Sequence, residues 1–167
     1  ECNAISYEYS KRRERKIKIP TKLMNIETTK FYTRALVESF PQSLYIFGEN
    51  FQQWEESKNG KAPIGGGQAV IRGLPNAYGF VTLHAIGKFY DDSTFDENRK
   101  LIDKQIAEIK QLIETKGYTT LVLPFFGLGT GRASLLYNAP LTFFYMCYQL
   151  QKHFGFNNIQ AFELKQF

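Results

Sequence analysis

The chain has 167 residues, of which 43% are hydrophobic and 22% charged. This length is typical of one domain with its own core, and the composition indicates a globular rather than a disordered protein. No stretch approaches the ~18 apolar residues of a membrane helix, so we expect no spanning segment. The first 30 residues also lack the apolar region of a signal peptide.

Cysteine and histidine are scarce. Two cysteines, Cys2 and Cys147, exclude a disulfide scaffold and a zinc site with four thiolates. Two histidines, His84 and His153, are too few for a histidine-built metal site. We therefore expect no metal and no other cofactor, in a reducing, cytoplasmic setting.

The net charge of +5 is uneven along the chain. Residues 1–30 carry eight Lys/Arg and four Asp/Glu, whereas the remainder carries 13 and 12. The basic run 11–16 can attract nucleic acid through phosphate contacts, or it can be a solvated strand or arm. The weak charge of the remaining chain argues against a dedicated nucleic-acid binder.

Short elements are predicted in the first half of the chain. Residues 15–19 alternate polar and apolar side chains, which predicts a half-buried strand ended by Pro20. Residues 33–40 favour a short helix capped by Thr33, and the apolar run 44–47 predicts a buried strand.

Polar and glycine-rich residues follow this strand. Residues 51–63 indicate an irregular loop in which Trp54 is either a lid over a site or a surface anchor. Residues 68–72 begin a helix, and residues 79–83 predict another strand.

One long helix is the clearest element of the second half. Residues 91–116 repeat apolar side chains at three- and four-residue steps, and Gly117 stands where a C-terminal glycine belongs. Ser93 or Thr94 can cap its start.

A strand, a helix and a last strand are predicted after it. Residues 119–126 are a β-rich apolar run, residues 138–154 favour a helix with Pro140 in its first turn, and residues 159–164 favour a final strand. Strands that alternate with helices predict parallel pairing and an α/β sandwich.

A strand, a glycine-rich loop and a helix occur in this order twice. The loops contain residues 65–67 and 127–131, and both leave the carboxyl end of a predicted strand. Ligands of open α/β sheets bind at that edge, and glycines let backbone N–H groups approach an anion. Two such loops can hold the two phosphates of a pyrophosphate, or the glycines can simply make tight turns. Neither loop has the Walker A or the dinucleotide-binding spacing.

These motifs resemble the macrodomain family. The similarity spans roughly residues 44–164 and includes Asn50 after an early strand, three glycines that lead into a helix, and Gly-Leu-Gly-Thr-Gly-Arg after the strand ending at Pro124. It is greatest to the branch that removes terminal ADP-ribose from proteins, but Gly131 stands where that branch has its catalytic aspartate. Small phage and bacterial proteins have similar segments. If the chain is phage-encoded, the expected location is the cytoplasm of the host.

The resemblance implies a three-layer sandwich with a mixed, mainly parallel sheet flanked by helices, which binds ADP-ribose or a related NAD-derived nucleotide. Asn50 would lie near the distal ribose. Glu49 is the nearby carboxylate that could replace the missing aspartate, because attack at an anomeric carbon needs a carboxylate. The loops would hold the diphosphate, and the expected ligand-binding residues are Gly65, Gly66, Gly67, Gln68, Phe126, Gly127, Leu128, Gly129, Thr130, Gly131 and Arg132.

Several functions stay open on this basis. The protein can hydrolyse an ADP-ribose linkage, or it can only recognise the nucleotide, free or on an ADP-ribosylated macromolecule. Arg72 and Arg132 can each pair with phosphate, cap a loop or pair with an acid. The alternatives are a nucleic-acid-binding module that uses the basic N-terminal segment, and an interaction protein that keeps the fold without the ligand. No membrane partner is expected.

Overall fold

The computed structural model describes residues 24–166, and the strand predicted at 15–19 lies outside them. The elements follow in this order: β1 (Asn25–Thr29), α1 (Arg34–Ser39), β2 (Ser43–Asn50), α2 (Phe51–Lys58), a 3₁₀ helix (Gly67–Ile71), β3 (Ala77–Leu83), a 3₁₀ turn (Asp92–Thr94), α3 (Phe95–Lys116), β4 (Thr120–Pro124), α4 (Leu135–Asn138), α5 (Pro140–Phe154) and α6 (Asn158–Leu164). No helix in this range is long and apolar enough to cross a membrane.

The four strands form one sheet in the order β1-β4-β2-β3, and every pair is parallel. The predicted α/β class is therefore confirmed. The expected mixed sheet is wrong for the part of the chain that the structure describes, because a helical crossover follows β1, β2 and β3 and returns each next strand in the same direction.

The sheet is buried on both faces. Along β2, Leu44 and Ile46 contribute to the larger core with α3 and α5, while Tyr45 and Phe47 face a smaller core with α1 and the 3₁₀ helix. All five residues of β4 are buried. Such alternation places β2 and β4 at the centre of the sheet, as their position between β1 and β3 requires.

Local capping signals locate several helices correctly. The Thr33 hydroxyl accepts a hydrogen bond from the Leu36 amide at 3.1 Å, as its predicted capping role requires. The long helix ends at Gly117, whose φ of 69° is in the left-handed region that glycine adopts without strain. Pro140 occupies the first turn of α5, as expected.

Two predicted elements are wrong. Residues 51–58 form α2 and not an irregular loop, because the Asn50 side chain caps the Gln53 amide at 2.9 Å. Trp54 is buried beneath this helix, so it is neither a lid nor a surface anchor. Residues 158–164 form α6 and not a strand, since the Asn157 side chain caps the Gln160 amide and Ala161 packs into the core.

Candidate anion-binding site

The carboxyl ends of all four strands lie along one edge of the sheet, because the strands are parallel. The central strands β2 and β4 are neighbours there, and each leads toward one glycine segment. α2 separates the first segment from β2. The side-chain oxygen Oε1 of Gln68 nevertheless accepts a hydrogen bond from the Gly48 backbone amide at 3.0 Å, which holds the first segment against β2.

The second glycine loop is shaped by its glycines and by α6. Gly127 and Gly129 have φ values of 83° and 74°, which favour glycine. A Cβ at Gly127 would lie 2.8 Å from Oδ1 of Asn158. Asn158 accepts from the Leu128 amide and donates to the Leu128 carbonyl, at 2.7 and 3.1 Å. Leu128 is buried, so its side chain belongs to the core and only its backbone shapes the loop.

Consecutive backbone amides of this loop have no protein acceptor. No residue between 24 and 166 accepts a hydrogen bond from the N–H groups of residues 129–133. Gly131 and Arg132 are exposed, and a Cβ at Gly131 would have no atom within 4 Å. The Thr130 hydroxyl stays inside the loop and donates to the carbonyls of Phe126 and Gly127. Successive unpaired amides of this kind are typical of anion sites.

Three cations surround the same loop. Lys30 follows β1, and its Nζ lies 4.5 Å from the centre of the Phe125 ring and 5.6 Å from that of Phe126. Lys165, just after α6, donates to the Thr130 carbonyl at 2.6 Å, and Arg132 belongs to the loop itself. None of the three cations forms a salt bridge with a carboxylate of the described range. The loop therefore combines amide dipoles with uncompensated positive charge.

Phe126 is 37% exposed and meets Phe125 edge to face, with their centroids 5.1 Å apart. The Phe125 amide donates to the Thr29 carbonyl at 3.0 Å, which fixes this aromatic pair to the end of β1. Phe126 is thus a fixed, accessible aromatic ring beside the second glycine loop, on which a flat ligand can stack.

The first glycine segment has both a structural part and an open part. Gly65 is structural, since a Cβ there would lie 2.7 Å from the Ala69 Cβ. Gly66 and Gly67 are exposed, with open space around them, and no described residue accepts from the Gly66 amide. Gly67, with a φ of 57°, begins the 3₁₀ helix. Only these last two glycines are open to a ligand.

Glu49 and Arg72 form a buried ion pair. Arg72 donates from Nε to Glu49 Oε2 at 2.7 Å and from Nη2 to Oε1 at 2.6 Å. The Glu49 side chain is 2% exposed and the Arg72 side chain 7%. Arg72 Nη1 donates to the Pro63 carbonyl, and the backbone amide of Asn50 donates to Glu49 Oε1. Of the roles open to Arg72, pairing with an acid and capping a loop are the ones observed. Both oxygens of Glu49 are engaged, so the carboxylate does not stand free as a nucleophile or base.

Asn50 ends β2 and lies opposite Leu83 of β3. Its Oδ1 caps α2, and its Nδ2 donates to no described acceptor. His84 follows Leu83, and its ring centroid lies 3.7 Å from that of Tyr90. Burial lowers the pKa of His84, and the nearby Asp91 carboxylate opposes this. The edge beyond β2 and β3 therefore offers an amide donor and an imidazole whose pKa is lowered.

Sequence reasoning missed Lys30, Lys165 and Asn158. Each is distant in sequence from the glycines that it contacts or adjoins, and β1, which positions Lys30, was not predicted. The predicted residues Gly66, Gly67, Phe126, Gly131 and Arg132 are accessible at the carboxyl edge. Gly127, Leu128 and Gly129 are buried, Thr130 is half-buried, and the Gln68 side chain bonds the protein backbone.

The fold defines the class of the molecule as an α/β protein with a four-stranded parallel sheet and flanking helices. The chain belongs to the family of unknown function DUF7831, whose model matches residues 27–149. The match includes the end of β1, all of β2 to β4 and most of α5. No curated protein and no solved structure matches the chain.

Proposed function

We propose that this protein binds ADP-ribose or a related NAD-derived nucleotide, with the diphosphate between the two glycine segments. The observation that carries the proposal is the run of unpaired amides at 129–133, surrounded by Lys30, Arg132 and Lys165. A diphosphate is a compact, multiply charged anion, and it would satisfy both the amides and the cations.

The remaining contacts follow from the geometry of the edge. Gly66 and Gly67 would contribute backbone groups from the side of β2. The exposed Phe126 ring would stack on the base. The side-chain Nδ2 of Asn50, which has no acceptor among the described residues, would donate to a ribose hydroxyl. With these contacts we also propose that the fold is macrodomain-like, with three layers. The ligand can be free or attached to a macromolecule.

Recognition without turnover is the activity that we propose. Gly131 supplies no carboxylate at the second loop, and Glu49 is neutralised by Arg72 within the protein. Hydrolysis at an anomeric carbon needs a carboxylate near the sugar, and neither position assigned to that role provides a free one.

Calorimetric titration of the full chain with ADP-ribose, NAD, ADP and inorganic pyrophosphate tests the proposal. Gly131→Glu is the decisive variant, because its Cβ has open space and its carboxylate would repel the diphosphate. Gly131→Ala is the matched control for backbone and size. Gly129 is unsuitable, since a Cβ there would lie 3.1 Å from Leu135 in a left-handed conformation.

We expect the wild type and Gly131→Ala to bind ADP-ribose, and Gly131→Glu to lose binding by at least about tenfold, or 1.4 kcal/mol. Failure of the wild type to bind every nucleotide would overturn the proposal. A parallel titration with a single-stranded oligonucleotide tests the alternative of a nucleic-acid-binding module. The basic run 11–16 that this alternative uses lies outside the described residues. Steeply salt-dependent oligonucleotide binding without nucleotide binding would favour that alternative.

A further inference from the structure

α5 is apolar on its outer side as well as on its inner side. Its inner residues Phe143, Met146, Cys147 and Leu150 are buried in the larger core. Its outer residues Leu141, Phe144 and Tyr148 are 59%, 50% and 62% exposed, and Tyr137 of the preceding helix α4 is 78% exposed. We call these four exposed residues the outer stripe. From Pro140 to Gln151 the helix has no charged side chain.

α3, which packs beside α5, has an ordinary outer surface. It exposes charged residues such as Asp96, Glu97, Lys100 and Lys110 to solvent. A helix that is apolar on all sides is instead typical of a covered helix. In the described range 24–166 nothing covers the outer stripe, so its composition calls for an apolar partner.

The outer stripe has the spacing of a helix-packing seam. Leu141, Phe144 and Tyr148 follow one another at three and four residues, which places them in one row along α5, and Tyr137 precedes them on α4, across the non-helical Ala139. A second helix with the same row can pack its side chains between these. Two tyrosines and a phenylalanine are also the residue types that are enriched at protein interfaces.

We infer that a second copy of this chain packs its outer stripe against this one, giving a two-fold symmetric dimer. The same face can serve both partners, because an isologous contact needs only a self-complementary surface. A large side chain has a surface of about 200 Å², and these four are half to three-quarters exposed, so complete burial of all four in each of two copies removes about 1,000 Å², the lower limit for a specific interface.

Charge favours a second copy over a charged partner. The chain carries a net charge of +5, so a contact between two copies is least unfavourable at a surface without charged side chains. The outer stripe is such a surface, and the nearest cation of α5, Lys152, lies at its end with Nζ 5.9 Å from the Tyr148 ring centroid. An acidic protein would find no cation along the stripe itself.

Sedimentation velocity of the full chain, over about a hundredfold range of concentration, measures the association. We expect a wild-type dimer of two 19.3 kDa chains that dissociates on dilution. Phe144→Glu and Leu141→Glu should each sediment as a monomer, because the new carboxylate would be buried without a partner. Phe40→Glu is the matched control: its ring is 53% exposed beyond α1, against the opposite face of the sheet, and it should stay dimeric.

Circular dichroism of each variant establishes that it is folded, and the two stripe variants support each other if one misfolds. Dissociation of a folded stripe variant with an intact Phe40→Glu dimer supports the inference. A wild type that stays monomeric, a dimer that survives both stripe substitutions, or a control that dissociates as well would overturn it. None of these outcomes depends on nucleotide binding.

Discussion

Arg72 and Glu49, 23 residues apart, form a bidentate, hydrogen-bonded ion pair beneath the carboxyl edge of the sheet. Two glycines leave room for it. A Cβ at Gly65 would lie 2.9 Å from Arg72 Nη1, and a Cβ at Gly79 would lie 2.9 Å from the Glu49 Cβ. The pair joins the first glycine segment to β2, so it supports the candidate site from below and does not itself face a ligand.

Removal of one partner of this pair should be strongly destabilising. Arg72→Gln leaves the Glu49 carboxylate buried and unpaired, and we expect a loss of about 3–5 kcal/mol in the free energy of unfolding. Urea denaturation followed by circular dichroism measures it. Arg99→Gln is the control, since the exposed Arg99–Asp96 pair should contribute less than about 1 kcal/mol. Equal losses in the two variants would contradict the structural role of Arg72.

The space at Gly79 can be tested in the same assay. Gly79→Ala forces a methyl group against Glu49 and to within 3.0 Å of the Phe47 ring, and overpacking of this kind costs about 1–3 kcal/mol. Gly66→Ala places the same methyl group in open space at a negative φ, so its unfolding free energy should change by less than about 0.5 kcal/mol. A Gly79→Ala protein as stable as the wild type would show that β2 and β3 are not so closely packed here.

Lys30 and Lys165 should strengthen anion binding at the second loop. A unit charge near a phosphate at the surface contributes about 1 kcal/mol in water, so Lys30→Gln and Lys165→Gln should each weaken pyrophosphate binding about fivefold. Both effects should shrink at high salt, since these cations are exposed. Titration calorimetry at two ionic strengths measures them, with Lys100→Gln in the exposed part of α3 as the control. Unchanged pyrophosphate affinities in both variants would show that neither lysine contributes to anion binding.

Cys147 should be unreactive in the folded protein. Burial raises the pKa of its thiol to about 11, and the Asn158 side chain donates to the sulfur at 3.4 Å. Because the unfolded thiol ionises first, stability should fall as the pH rises from about 8.5 toward the folded value. Reaction of a Cys2→Ser protein with a disulfide reagent should be much slower in buffer than in urea. Equal rates would show that this part of the core is open.

Local signals in the sequence predicted a large part of the fold. The Thr33 cap, the apolar repeat of α3 and the glycine at its end act within a few residues, so the sequence displays them directly. β1 was missed because it is an edge strand whose five residues are exposed or half-buried, without a clear alternation. α6 was mistaken for a strand because its composition outweighed the cap at Asn157.

The candidate site was predicted in outline by its glycines and not by its side chains. Exposed Gly66 and Gly131 can be expected from their sequence context, since glycine segments after strands are visible as such. The proximity of Lys30, Lys165 and Asn158 to the second loop arises only when β1 and α6 dock, and no spacing in the sequence signals it. For the same reason, the sequence left the partner of Arg72 undecided.

The all-parallel sheet has a consequence for the order in which the chain can assemble. Among the described strands β1 pairs only with β4, with Asn25 opposite Thr120, so β1 lacks this partner until most of the chain has left the ribosome. Contacts this distant in sequence slow folding and leave an apolar edge exposed while the chain waits. A nascent chain that stops before β4 would therefore lack the centre of its sheet, and it would depend on chaperones until synthesis is complete.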